Sequence, residues 1–193
     1  MASYIHIVPH VIKWEGGLVY HPNEKQWTNK GVQWNTYTRH SLRLLGQTPS
    51  MERFKELTDY QLGKFIELYW NTATNNNRIK DQDSANQLFN AYWASGAEGL
   101  KDMQRALNKA YGEDLTIDGK IGPATTHVVN ANRNAAIVLY NAMADRFRRL
   151  GKNPKFAKFE KGWLNRLRTL KPVEKGSIAI FLAAIIMIVI ILK

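Results

Sequence analysis

The sequence predicts a mainly α-helical fold, and three observations carry the prediction. Strict alternation of apolar and polar residues is almost absent outside the loop that follows residue 15. Apolar residues instead recur three and four positions apart through most of the chain. Helix punctuation frames those stretches: Thr58 as a cap, Gly96 as a stop, Gly122-Pro123 as a start and Gly151 to Pro154 as a break.

Residues 3–15 read as the first helix, with Tyr4, Ile5, Ile7, Val8, Val11 and Ile12 apolar, and Pro9 either kinks it or starts it. Residues 16–38 hold Gly16, Gly17, Pro22, Asn23, Asn29, Gly31 and Asn35, which is loop chemistry. Trp27, Trp34 and Tyr37 within the loop argue against disorder. A short helical piece begins over Leu42 to Leu45, and Thr58 caps a stronger helix through Leu62, Phe65, Ile66, Tyr69 and Trp70. After a polar turn at 71–77, helical spacing resumes over 82–95 and again from Leu100 to Tyr111. Asp118-Gly119 makes a tight turn, a long helix covers 124–149, and the last globular helix covers 155–170.

The C-terminus differs in kind. Ile178 to Leu192 is an uninterrupted apolar run between Lys175 and Lys193. Fifteen helical residues reach about 22 Å, against roughly 30 Å of hydrocarbon. Gly176, Ser177 and snorkelling lysines extend the reach. A helix apolar on every face needs burial all round, so the stretch is expected to be a single transmembrane anchor.

Composition bounds the chemistry. The 193 residues carry a formal charge of +11. Arg146 to Lys175 hold eleven basic residues against Glu160 and Glu174, a face suited to anionic lipid or acidic wall polymer. No module for nucleic acid accompanies the charge, so none is expected as a partner. There is no cysteine, which excludes disulfides and thiolate metal sites. The five histidines show no metal spacing, and there is no nucleotide-binding glycine loop, so neither metal nor cofactor is expected. Met1 to Trp14 lacks the charged start and long apolar core of a signal peptide.

One stretch points to chemistry. Glu15 stands where a helix should end, with Gly16 and Gly17 after it to let the chain turn with φ > 0. Trp14, Trp27 and Trp34 flank it in sequence, and an apolar wall suits a carboxyl that must carry a proton. Aromatic faces also stack on sugar rings, although they serve equally to plug a core.

Trp14-Glu15-Gly16-Gly17, then Pro22, Glu24 and Thr28-Asn29-Lys30-Gly31-Val32, resembles the N-terminal signature of the glycoside hydrolase family 108 lysozymes. The likeness continues through Tyr69-Trp70, Ser95-Gly96, Gln104-Arg105-Ala106-Leu107-Asn108 and Gly162-Trp163-Leu164-Asn165-Arg166. Asp118-Gly119-Lys120-Ile121-Gly122-Pro123-Ala124-Thr125 is similar to small peptidoglycan-binding helical modules. The resemblance implies a lysozyme-like catalytic region over 1–96, a peptidoglycan-binding-like helical region over 97–171, a linker over 172–177 and the anchor over 178–192.

It implies further that Glu15 is the general acid of an N-acetylmuramidase cutting the β-1,4 bonds of peptidoglycan. Glu24 is the candidate second carboxylate and Thr28 a candidate for holding water, with Asp81 and Asp83 as distant alternatives. Trp14, Trp27, Asn29, Trp34, Tyr69 and Trp70 are the candidate glycan-binding residues. Where family members have two glycines after the acidic loop residue, Lys25 and Gln26 stand here, and the loop is one residue shorter. That departure keeps open a non-catalytic, membrane-tethered wall-binding or secretion-associated protein. The leading expectation is a phage or prophage endolysin, single-pass in the bacterial membrane and acting in the periplasm or wall, with glycan strands and membrane lipid as partners.

Overall fold

The computed structural model describes residues 1–22 and 25–174. A short 3-10 turn at Tyr4–His6 leads into α1 (Val8–Trp14), and Pro9 sits in its first turn, where a missing N–H costs nothing. The loop expected to be irregular contains β1 (Val19–His21), β2 (Gln26–Asn29) and β3 (Val32–Gln33) in one antiparallel sheet of order β1-β2-β3. Asn29 pairs with Val32 across Lys30 and Gly31. Both turn residues have positive φ, 48° and 79°, the two-residue turn that matches strand twist.

α2 (Trp34–Leu45) follows directly, then α3 (Met51–Lys55) and α4 (Asp59–Thr72). The Thr58 hydroxyl accepts from the Gln61 N–H, and the Gln61 side chain accepts from the Thr58 N–H, a reciprocal cap. α5 runs from Gln82 to Tyr111 and kinks at Gly96, whose φ of 57° and ψ of −147° leave the helical region. α6 (Pro123–Ala131) and α7 (Ala135–Gly151) replace the single helix expected over 124–149. They part where Asn132 turns its amide back to the Val128 carbonyl at 2.8 Å, local bonding that competes with the helix. α8 (Ala157–Arg168) closes the described chain apart from a short tail.

One core joins the two halves. Val11, Phe54, Phe65 and Ile66 from the first elements belong to the same buried cluster as Met103, Leu139, Phe147 and Leu167. α5 crosses the boundary expected near residue 96 and packs along α7, which in turn carries α8. Asp102 fastens that packing: its carboxylate accepts from Arg105 at 2.8 Å, Arg146 at 2.7 Å and Arg149 at 2.6 Å.

The expected fold class is corrected on one point. It is mainly helical, but among the described residues no helix is long and apolar enough to cross a membrane. The reason is visible in α5, the longest, which buries Leu100, Met103 and Leu107 while turning Lys101, Arg105 and Lys109 outward. The anchor expected at 178–192 lies outside the described residues. The single-pass membrane location and the lipid partner therefore lose their support.

Candidate active site

Glu15 caps the end of α1. Its backbone is already extended (φ −82°, ψ 136°), and its N–H still bonds the Val11 carbonyl at 2.9 Å. Neither Gly16 nor Gly17 has positive φ, contrary to the sequence expectation. The extended cap itself turns the chain out of the helix and leaves the Glu15 side chain pointing inward.

Two donors from distant segments meet that carboxyl on one oxygen. The Trp93 indole N–H donates to Oε1 at 2.8 Å, and Nη1 of Arg166 lies 2.7 Å from the same atom. The side chains of Glu15 and Arg166 are only 17% and 16% exposed, so the pair is shielded from bulk water. The other oxygen faces the hairpin turn: a Cβ built on Gly31 would lie 3.0 Å from Oε2 and 2.8 Å from Trp93 Cζ2. The positive-φ turn therefore does two things, closing the hairpin and letting backbone lie against the carboxyl. The wall around Glu15 is thus not simply apolar, since a guanidinium and an indole N–H share it.

Beside Gly31 opens a cleft of about 170 Å³, lined by Gly31, Val32, Gln33, Thr36, Tyr69, Tyr92 and Trp93. The Thr36 and Tyr69 hydroxyls are 2.9 Å apart, and Tyr69 packs on Tyr92 and edge-on to Trp93. Ring faces next to hydroxyl and amide groups suit a sugar, which has apolar faces and polar edges. A larger, more apolar groove of about 280 Å³ lies elsewhere, between Tyr4, Val8 and Tyr60; Glu15 takes no part in it.

The other sequence candidates scatter. Tyr69 lines the cleft. Thr28 sits on β2, opposite Gln33 of β3. Trp14 donates to the Thr169 hydroxyl at 3.3 Å, tying α1 to the end of α8. Trp27 packs on Tyr20 of the neighbouring strand, and Trp34 packs on Tyr37 and Phe54. Asn29 is 3% exposed and donates to the Phe54 and Lys55 carbonyls at 2.6 and 3.1 Å. Trp70 is 1% exposed and packs on Phe89, so it is a core side chain out of reach of a glycan. Asp81 caps α5 through the Ser84 N–H and hydroxyl. Glu24 lies outside the described residues. Trp93, Tyr92, Thr36 and Arg166 were missed as site residues. Trp93 lies within the helical stretch 82–95, where spacing does not show whether an indole N–H has a partner, and Arg166 ends the Gly162 to Arg166 motif.

A helical body that holds one shielded carboxyl against a three-stranded sheet, beside an aromatic cleft, is the plan of a lysozyme-like glycosidase. Residues 8–96 match the family described as Glycosyl hydrolase 108, and residues 98–168 match the Predicted Peptidoglycan domain. The chain is a peptidoglycan hydrolase, with a glycosyl hydrolase family 108 region over 8–96 followed by a peptidoglycan-type region over 98–168. The solved structure of Brucella abortus SagA is similar at 26% identity and a TM-score of 0.64, over 87% of this chain and 91% of that one. No curated protein matches the chain. None of these likenesses bears on a phage origin.

Proposed function

We propose that the protein is an N-acetylmuramidase, cutting the β-1,4 bond from N-acetylmuramic acid to N-acetylglucosamine, with Glu15 as general acid. The observation that carries this is the carboxyl held on Oε1 by Trp93 and Arg166, with Oε2 against Gly31, which with Trp93 lines the cleft. In the proposed step the proton on Oε2 passes to the glycosidic oxygen and the C1–O bond breaks, the electron pair leaving with that oxygen. Water then adds to the oxocarbenium-like carbon, its proton passes to a base or to solvent, and Glu15 takes a proton back from solvent, so that one water is consumed per bond. Tyr69, Tyr92 and Trp93 offer ring faces to the sugar, while Thr36 and Gln33 offer polar groups to its edge. The second group is either Glu24, acting as a carboxylate, or Thr28, holding the water.

Analysis of the digestion products tests this. After borohydride reduction, glycan fragments released by the full-length chain should end in reduced N-acetylmuramic acid. Fragments ending in reduced N-acetylglucosamine would assign the other bond. An absence of released fragments would contradict the muramidase assignment.

A further inference from the structure

We propose that Arg166, contributed by the peptidoglycan-type region, is a positioning residue of the hydrolytic centre. Together with Trp93 it assigns the catalytic proton to Oε2 of Glu15. This inference depends on the proposed role of Glu15 as the acid.

Each carboxylate oxygen offers about two lone-pair sites. On Oε1, Trp93 Nε1–H faces the oxygen at 2.8 Å and Arg166 Nη1 at 2.7 Å. Both groups only donate, and a guanidinium keeps its protons at any working pH. A proton placed on Oε1 would meet two cationic or N–H groups, whereas Oε2 lies against Gly31, which has no side chain to crowd it. The contact is made by Nη1 alone, so Arg166 sets the charge beside Oε1 and not beside Oε2.

The arginine is poorly explained as a structural cross-link. Its Nε and Nη2 are buried and find no hydrogen-bond partner among the described residues. Buried donors without acceptors cost stability rather than add it. Its backbone, by contrast, is firmly held. Trp163 of α8 stacks on Phe147 of α7 at 5.5 Å, Leu167 is buried, and Thr169 receives the Trp14 indole N–H. The C-terminal region thus completes the centre that acts on the wall.

Full-length wild type, Glu15→Gln, Arg166→Ala and Arg166→Lys, assayed on purified peptidoglycan, test the proposal. Arg166→Ala should keep its melting transition and lose about tenfold to a hundredfold in kcat, with KM within about twofold. Millimolar methylguanidinium should restore part of that rate, and none in Glu15→Gln. A wild-type kcat in Arg166→Ala overturns the proposal, and so does a loss that methylguanidinium leaves untouched. Should Arg166→Ala fail to fold, Arg166→Lys decides: a lower kcat with unchanged melting supports the role, and a wild-type kcat overturns it. An active Glu15→Gln overturns the acid assignment itself. An inactive Glu15→Gln beside an unimpaired Arg166→Ala overturns only the role of Arg166.

Discussion

Gly31 has no room for a side chain, and its backbone lies where few other residues go. Its φ is 79°, and an added methyl would meet Trp93 at 2.8 Å and the Glu15 carboxyl at 3.0 Å. Gly31→Ala should therefore destabilise the fold by about 1–2 kcal/mol from the backbone alone. It should also lower activity by more than that instability explains, because the methyl displaces the acid. Melting curves and initial rates on the same preparation separate the two effects; a stable, fully active variant would show that the carboxyl does not work where it is seen. Glu24→Gln should cost less activity than Glu15→Gln, and equal losses with unchanged melting would make Glu24 an equal partner. Glu15 was legible in the sequence because its neighbours form a local motif. Its two donors were not, because Trp93 and Arg166 reach it only through tertiary packing, and an indole on an apolar stripe looks the same whether or not its N–H is used.

At the scale of elements, the contact of α1 with the end of α8 is the one that pH should loosen first. His10 sits there, with Nδ1 3.0 Å from the Thr169 hydroxyl. Burial, then the Arg166 guanidinium and Lys13, lower its pKa from 6.5 to about 4, with Asn90 pulling the other way. The unfolded chain therefore binds the proton from about pH 6.5 downward and the folded chain only near 4, so stability should fall as pH falls through that window. His10→Asn should flatten this part of a melting-temperature profile, and an unchanged slope would contradict it. Asp102 acts lower on the scale. Burial pushes its carboxyl up, but Arg146 and Arg149 hold it below its ordinary 3.8. Asp102→Asn should cost about 1–3 kcal/mol, since it strips a charged acceptor from half-buried guanidinium groups; denaturant titration measures it. Helices with a clear apolar stripe and a cap, such as α4, were legible. The sheet was not, because strands of two to four residues barely show a period, and α2 began at Trp34 rather than near Leu42 because Asn35, Thr36 and Thr38 mimic a loop.

At the scale of the molecule, two family regions share one core and one helix. α5 passes from the hydrolase region into the peptidoglycan-type region with only a kink at Gly96. Unfolding of the full chain should accordingly be a single transition, with near- and far-ultraviolet circular dichroism coinciding in urea. Two separated transitions would mean that the regions fold independently and that Arg166 is docked loosely on the acid. The boundary drawn from sequence motifs near residue 96 marks a change of motif, and the core runs straight across it.

The most direct measurement is the rate at which full-length Glu15→Gln releases new reducing ends from purified peptidoglycan, set beside wild type. The substitution keeps the size of the side chain and an acceptor for Trp93 and Arg166, and removes only the proton to be donated. The rate should fall at least about a hundredfold with little change in melting temperature. A folded variant that still releases reducing ends at close to the wild-type rate would show that the proton comes from another group.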